Sequence, residues 1–184
     1  MKEIALHILD IAENSISAGA RNITIDIHED LTRDRLTITI TDDGKGMDVA
    51  EIARVVDPFV TSRTTRRVGL GIPLLKAAAE ACQGGLTIRS APGQGTTLTV
   101  LFQHSHIDRM PLGDLPGTFL TLLIGYPNIH WTFRYRVNNQ EFLFDDTPIK
   151  QELDGVPLTE PSILAFLRNI LEDGISRLQE SRGE

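Results

Sequence analysis

The 184-residue chain has one cysteine, Cys82, and so no second thiol with which to close a disulfide within these residues. A lone cysteine fits a reducing compartment. The sequence also lacks an apolar run of about 18 residues, so we expect no transmembrane helix. Its first residues, MKEIALHILDIAEN, place acidic side chains where a signal peptide needs an unbroken apolar stretch. We therefore expect a cytoplasmic protein without a membrane partner.

An excess of positive charge is missing as well. The net charge is −7, which disfavours nonspecific binding to nucleic acid, and we expect no nucleic-acid partner. Apolar residues make up 41% and charged residues 23%, the balance of a folded globular protein. The sequence has no GxxxxGK[ST] phosphate loop, and GLGIPL lacks the third glycine of a dinucleotide-binding fingerprint.

Residues 1–104 alternate between helical and strand patterns. Two β-branched segments with period two, Asn22–His28 and Arg35–Thr41, predict strands. The predicted order is a helix over about 3–17, these two strands, a short helix near 49–56, a longer helix after TSRTTRRVGLG with Pro73 in its first turn, and strands in LTIRS and TTLTVLF. This order predicts a two-layer α/β sandwich, in which one mixed sheet carries helices on one face.

Beyond His104 the pattern lapses, and we interpret residues 105–117 as a linker. Residues 118–184 then predict a small α+β extension, suited to docking or to homodimerisation. Its predicted strands are FLTLLIGY, HWTFRYRV and EFLF. Its predicted helix covers about Glu160–Leu178, with Thr159 or Ser162 as the N-cap.

Polar side chains interrupt the first helix in the stretch LDIAENSISAGA. Asp10 and Asn14 lie four residues apart, so they share one helix face, with Glu13 beside them. Desolvating such groups is costly without partners. The face is therefore either simply solvated or part of a polar site.

The loop DDGKGM follows the second strand. Asp42 ends the strand, where its carboxylate can accept a hydrogen bond from an exocyclic amine such as that of adenine; guanine has a carbonyl at the same position and would be repelled. Gly44 and Gly46 would let the backbone approach a flat base and would permit positive φ. An ordinary acidic turn fits the same residues.

Two further segments contain glycines next to predicted elements. In GLGIPLL, Gly69 and Gly71 open a helix, whose N-terminal amides suit a phosphate, and arginines precede it: Arg63, Arg66 and Arg67. In PGQGTTLTV, Thr96 or Thr97 can place a hydroxyl near a base. A capping loop and a plain hairpin turn are the simpler interpretations of these two segments.

Together, in this order, the four segments resemble the GHKL ATPase superfamily of gyrase, heat-shock chaperones, histidine kinases and MutL. LDIAENSISAGA resembles its N box, DDGKGM its G1 box, GLGIPLL its G2 box and GQGTTLTV its last glycine box; DPFVTSR resembles the start of the nucleotide lid. The resemblance covers about residues 1–103. It implies the Bergerat fold, with Mg-ATP bound between helices and lid.

The resemblance also implies roles for individual residues. Asn14 would hold Mg²⁺, Asp42 would contact the adenine amine, and Thr96 or Thr97 would bond near the base. The remaining nucleotide contacts would come from the G1 and G2 boxes and the lid: Gly44, Gly46, Met47, Arg63, Arg66, Arg67, Gly69, Leu70 and Gly71. Asp10 stands where the gyrase and MutL branch has a catalytic glutamate, so it is the candidate general base.

The short lid resembles that of the stand-alone kinase and anti-sigma branches more than that of gyrase. This resemblance implies a regulatory protein that transfers the γ-phosphoryl of ATP to a partner protein or hydrolyses ATP slowly. Because Asp10 is one methylene shorter than glutamate, a nucleotide-gated interaction module without significant catalysis remains the alternative. The sequence identifies neither the protein partner nor a phosphoacceptor.

Overall fold

The structure, a computed structural model, describes residues 3–59 and 70–183. The helices are α1 (Ile4–Ser17), α2 (Val49–Val55), α3 (Gly71–Ala81), α4 (Leu115–Gly125), α5 (Thr147–Leu153) and α6 (Pro161–Glu180), followed by a 3₁₀ turn at Ser181–Gly183. The strands are β1 (Asn22–Asp30), β2 (Arg35–Asp42), β3 (Gly85–Ser90), β4 (Thr96–Gln103), β5 (His130–Val137) and β6 (Gln140–Asp145).

The six strands form one sheet in the order β3-β4-β2-β1-β5-β6. All neighbours are antiparallel except β1 and β5, which run parallel, so the predicted mixed sheet is confirmed. The β-branched alternation explains its two faces. Ile23, Ile25 and Ile27 of β1 are buried, whereas Thr24 and Asp26 between them point to the opposite, more polar face.

The helices pack on the apolar face of this sheet. Helix α1 contacts α3 and α4, and α4 contacts α6, so these four helices form one layer. Helix α1 ends as predicted: Gly19 adopts φ +79°, the left-handed conformation that terminates a helix. The two-layer α/β architecture predicted from the sequence is therefore confirmed.

The prediction of a strand in FLTLLIGY is wrong, because this segment belongs to helix α4. The Asp114 side chain caps the helix by accepting a hydrogen bond from the Gly117 amide, and Pro116 lies in the first turn. Helix α4 lies between α1 and α6, so it is apolar on most sides and shows no clear period. Its short apolar run therefore resembled a buried strand.

The other C-terminal elements lie near their predicted positions. HWTFRYRV forms β5, EFLF lies within β6, and the last helix begins at Pro161. Its N-cap is Glu160, which accepts hydrogen bonds from the amides of Ser162 and Ile163, and not Thr159 or Ser162 as predicted. Helix α5 was not predicted from the sequence.

Strand β5 lies beside β1 along its whole length, with Asn22 paired to His130 and Glu29 to Val137. The C-terminal strands therefore extend the sheet of the first four, and their side chains join one buried core. In that core the rings of Phe119 and Phe133 stack with their centroids 4.3 Å apart. The division into a domain over 1–104, a linker and a region over 118–184 stays a prediction.

Among the helices of the described residues, none combines the length and the apolar character needed to cross a bilayer.

Candidate functional site

A cleft of about 550 Å³ opens between the C-terminal half of α1, helix α2, the start of α3 and the ends of β2 and β4. This volume lies in the range of small-molecule sites. Its apolar lining consists of Ile11, Ile40, Met47, Val55, Ile72, Ile88 and Leu98, among others. Its polar lining consists of Asn14, Ser15, Ser17, Asp42, Lys45, Glu51, Arg54, Asp57 and Thr96. The combination suits a ligand with a flat apolar part and a charged part.

A second cavity, of about 640 Å³, lies near residues 16–21 and 125–129. Arg21 is the one ionisable side chain with a full charge among its lining residues. Although it is larger, this cavity has no carboxylate among its described lining residues, and Asn128 is the one side-chain amide there. We therefore take the first cleft as the candidate functional site.

Asp42 is the last residue of β2 and is 9% exposed. The Ser15 hydroxyl donates to its Oδ2 at 2.6 Å, and the Gly44 amide donates to its Oδ1 at 2.9 Å. These two bonds hold the carboxylate in place at the cleft. A carboxylate offers about four lone-pair positions, so Asp42 keeps acceptor capacity for a ligand N–H.

Asp43 points the other way. Its carboxylate accepts hydrogen bonds from the Arg21 amide and from the backbone and side-chain nitrogens of Asn22, at 2.6–2.9 Å. The hydrogen bonds from Asn22 hold the pKa of the Asp43 carboxyl below its ordinary value. The adjacent aspartates therefore have different roles, because one faces the cleft and the other anchors the start of β1.

The glycines of the G1 segment are required by close backbone contacts. Gly46 adopts φ +70°, and a Cβ there would lie 1.9 Å from the Ala91 carbonyl oxygen. A Cβ on Gly44 would lie 2.9 Å from the Ala18 carbonyl oxygen, and one on Gly95 2.0 Å from the Asp42 carbonyl oxygen. Gly44 does not have the positive φ that we expected. These glycines pack the loops that hold Asp42; whether they also contact a ligand stays a prediction.

Asn14 and Asp10 occupy different surroundings although both lie on α1. Asn14 is exposed and lines the cleft. Asp10, one turn earlier, is absent from the lining of the cleft. Its carboxylate lies against Gly71, the first residue of α3: a Cβ added to Gly71 would be 2.4 Å from Asp10 Oδ2. The carboxylate therefore faces the positive end of the α3 dipole, where Leu70 provides no side-chain cap.

The two candidate threonines lie on opposite faces of β4. Thr96 lines the cleft, with its hydroxyl 2.8 Å from the Ser90 Oγ. Thr97 points to the other face, where its hydroxyl donates to Thr41 at 3.4 Å, and it is absent from the lining of the cleft. Which of the two threonines contacts a ligand stays a prediction. Ser90 also accepts a hydrogen bond from the Met47 amide, and Met47 lines the cleft. Contact between Met47 and a nucleotide stays a prediction.

The remaining predicted residues lie near or beyond the end of the described chain segments. Helix α3 begins at Gly71, the second glycine of the pair, and Pro73 lies in its first turn as predicted. Arg63, Arg66, Arg67 and Gly69 lie outside the described residues. Leu70 is exposed just before the helix.

The sequence analysis missed several polar lining residues, among them Ser15, Lys45 and Arg54. Ser15 donates to Asp42, and its position one residue after Asn14 on the N-box helix was the available signal. Lys45 lies inside the DDGKGM segment itself, and Arg54 projects from α2. These two cations line the cleft near three carboxylates, those of Asp42, Glu51 and Asp57.

Comparison with known proteins places this site in a family. Residues 2–106 match the family described as histidine kinase-, DNA gyrase B- and HSP90-like ATPases. The chain is 40% identical over 94 residues to the sensor protein kinase FleS of Pseudomonas aeruginosa, covering 51% of this chain and 23% of FleS. It is 33% identical over 101 residues to the histidine kinase AtoS of Escherichia coli, covering 55% of this chain and 16% of AtoS.

The chain thus spans less than a quarter of these curated relatives. Among solved structures, the ADP complex of the Aquifex aeolicus MutL ATPase domain superposes with a TM-score of 0.54 at 12% identity, covering 84% of this chain and 68% of the chain of that domain. At that identity the likeness shows the fold alone. With more than half of its residues matched by the family, the chain belongs to the histidine kinase-, DNA gyrase B- and HSP90-like ATPases, the GHKL superfamily.

Proposed function

We propose that this protein binds Mg-ATP in the cleft and either transfers the γ-phosphoryl group of ATP to a partner protein or hydrolyses ATP slowly in a regulatory role. The observation that carries the proposal is the Asp42 carboxylate. It is nearly buried at the cleft, is fixed by Ser15 and Gly44, and keeps lone pairs free for a ligand donor.

This carboxylate favours adenine over guanine. An ionised carboxylate accepts hydrogen bonds and donates none, so it complements the exocyclic amine of adenine and repels the carbonyl of guanine. Thr96, on the same side of β4, is the hydroxyl available near the base. The apolar lining supplies contact area for a flat ring.

The triphosphate would lie toward Asn14 and the start of α3. Mg²⁺, when bound, neutralises phosphate charge and orients the terminal phosphoryl group. The Asn14 amide oxygen is a hard donor suited to holding this ion. Lys45, Arg54 and the Gly71 end of α3 offer positive charge from the described residues. We assign charge neutralisation also to Arg63, Arg66 and Arg67, and contacts with the nucleotide through backbone amides to Gly69 and Leu70.

Asp10 is the proposed general base. Its carboxylate lies at the Gly71 end of α3, next to the position proposed for the phosphates. There it would accept a proton from a water molecule or from the hydroxyl or imidazole of an acceptor as the phosphoryl group moves to that atom. Most of the rate acceleration would come from positioning and charge neutralisation.

A nucleotide-gated interaction module is the second candidate. It is favoured by the same contact of Asp10, because a carboxylate that faces the α3 N-terminus stabilises the helix and need not reach a reacting atom. In this case the nucleotide would order the lid and change a partner surface, with background turnover.

Calorimetry with Mg-ATP and Mg-GTP tests the binding site. We expect the wild type to bind ATP and to reject GTP. The variant Asp42→Asn should bind ATP about tenfold to a hundredfold more weakly, because a hydrogen bond to a charged acceptor contributes about 1.5–3 kcal/mol. The matched control is Asp43→Asn, the neighbouring carboxylate that faces away. Equal ATP affinity in wild type and Asp42→Asn would refute the adenine assignment.

Turnover of γ-labelled ATP separates the two candidates. Transfer or hydrolysis should fall strongly in Asp10→Asn while ATP affinity, measured separately, stays within about threefold. Equal background turnover in both proteins, with a candidate acceptor present, would instead support the module.

We further propose that residues 118–184 supply a docking or dimerisation region. We also propose that the protein acts in the cytoplasm, where ATP is available. Strand β6 ends the described sheet, and an edge strand can pair with a second chain. Sedimentation with and without Mg-ATP measures the association state. A monomer under both conditions would remove the homodimer from this proposal.

A further inference from the structure

A cluster of one imidazole and two carboxylates lies where β5 begins and β6 ends. The Nε2 atom of His130 is 3.0 Å from Asp145 Oδ1 and 3.9 Å from Asp146 Oδ1. One potential ligand atom from each of the three residues falls within 4.8 Å of the others. We propose that this cluster binds a divalent transition-metal ion of the zinc type. The inference does not depend on the function proposed above.

The hydrogen bonds behind His130 fix its tautomer. Asn22 donates its side-chain N–H to Asp43 Oδ2 at 2.6 Å, so the other end of its amide, Oδ1, faces His130. Asn22 Oδ1 lies 2.9 Å from His130 Nδ1, and an amide oxygen only accepts, so Nδ1 carries a proton. A neutral His130 therefore presents the Nε2 lone pair to Asp145 and Asp146. Metal-binding histidines commonly donate their second ring N–H in this way.

Asp146 adds an observation that is independent of the histidine. The residue is 1% exposed, and within the described chain its Oδ1 has no hydrogen-bond partner, although it faces His130. Lys150 Nζ lies 2.5 Å from the other oxygen, Oδ2, and also donates to the Ile129 carbonyl at 2.6 Å. A buried carboxylate oxygen without a partner is costly. A cation between Asp146 Oδ1 and His130 would remove this cost.

Geometry and charge agree with a small divalent ion. Ligand bonds of about 2.0–2.2 Å in a tetrahedral site put neighbouring ligand atoms about 3.4 Å apart. The two measured separations, 3.0 and 3.9 Å, lie on either side of that value. With neutral His130, two carboxylates and one ammonium leave a charge of −1 to attract the ion. Three protein ligands leave the fourth position for water, and His130 and Asp145 are accessible enough to admit the ion.

The competing interpretation is a metal-free ion pair, in which His130 is an imidazolium held between Asn22 and Asp145. The two cases differ in what Nε2 carries, a metal ion or a proton. They therefore differ in metal binding near pH 7.5 and in the nitrogen NMR signals of His130.

The experiment is a zinc titration of the full chain by calorimetry at pH 7.5 without nucleotide. Cobalt(II) absorption serves as a second readout of coordination geometry. We expect one zinc per chain in the wild type and at least a tenfold loss of affinity in both His130→Gln and Asp145→Asn. Asn22→Ala, which removes the hydrogen-bond partner of Nδ1, should weaken binding by about tenfold.

His106→Ala is the matched control, because His106 is another partly exposed imidazole near a carboxylate, Asp108. It should retain wild-type zinc affinity. Circular dichroism confirms that each variant is folded, and if His130→Gln is not, Asp145→Asn at its exposed position carries the comparison. Absence of zinc binding in the wild type, or wild-type affinity in the folded cluster variants, would overturn the site and leave the imidazolium ion pair.

Discussion

Two buried carboxylates lie toward opposite ends of the neighbouring strands β1 and β2. Glu29, 1% exposed, accepts hydrogen bonds from the Tyr135 hydroxyl, from Arg182 and from His104 Nε2, the last at 2.7 Å. Asp42, 9% exposed, receives two donors, Ser15 and Gly44. Glu29 thus has three side-chain donors, all distant in sequence, whereas Asp42 has two donors and keeps more acceptor capacity.

The number of hydrogen-bond donors distinguishes Glu29, a structural carboxylate, from Asp42, the proposed ligand-binding carboxylate. Burial alone would raise the pKa of the Glu29 carboxyl, but hydrogen bonds from Tyr135 and His104 and the charge of Arg182 hold it below its ordinary value. Burial and the same carboxylate raise the pKa of the Tyr135 phenol. Glu29 therefore joins β1, β5, the segment after β4 and the C-terminal turn, while Asp42 is left available to a ligand.

The largest expected effect is on stability, at Glu29. The variant Glu29→Gln keeps the shape but removes the charge that faces Arg182, so the free energy of unfolding should fall by about 3 kcal/mol. Urea unfolding at pH 7 measures this, and ATP affinity should stay unchanged. For Asp42→Asn we expect the free energy of unfolding to fall by less than about 1 kcal/mol. Equal destabilisation by the two variants would contradict the difference between a structural and a binding carboxylate.

The pH dependence of unfolding sharpens the same comparison. Because the folded-state pKa of Glu29 is depressed, its stabilisation is present above the unfolded value of 4.5 and is lost as pH falls through the lower folded-state value. The stability gap between wild type and Glu29→Gln should therefore close below pH 4.5. A gap of constant size between pH 6 and about 3 would contradict the assigned role.

A smaller effect is expected on ATP affinity in Ser15→Ala. Loss of the hydroxyl that holds Asp42 Oδ2 should weaken binding about three- to tenfold, the value of one hydrogen bond. Calorimetry on a double-mutant cycle identifies the route. In the Asp42→Asn background Ser15→Ala should have little further effect, and full additivity would show that Ser15 acts independently of Asp42.

The smallest expected effect distinguishes the two faces of β4. Thr96→Val removes a hydroxyl that lines the cleft and should weaken ATP binding about threefold. Thr97→Val is the matched control, since that hydroxyl bonds Thr41 on the opposite face. An effect from Thr97→Val larger than that from Thr96→Val would reverse the assignment of the two side chains.

Local patterns predicted the strands of the first half of the chain because Thr and Ile alternate there with period two. They failed at FLTLLIGY, where burial between two helices removed the period that distinguishes a helix from a strand. The sequence analysis named Asp42 as the candidate contact with adenine, and in the structure the Asp42 carboxylate lies at the cleft while that of Asp43 bonds the start of β1.

The Glu29 cluster could not be predicted from local patterns. Its partners Tyr135 and Arg182 lie 106 and 153 residues away in the sequence. Their contact depends on the parallel pairing of β1 with β5, which no turn sequence specifies. The same non-local pairing brings His130 to Asn22.

The pairing of β5 with β1 makes β1 an interior strand, although it would be an edge strand in a sheet made of β1 to β4 alone. A fragment that stops at Gln103 would leave without partners those β1 amides and carbonyls that pair with β5, and would lack Trp131 and Phe133, the buried neighbours of Ile23 and Ile25 in the sheet. Bare strands of this kind recruit other chains into aggregates. The part of the chain that the family matches, when expressed alone, should therefore aggregate and give little soluble protein.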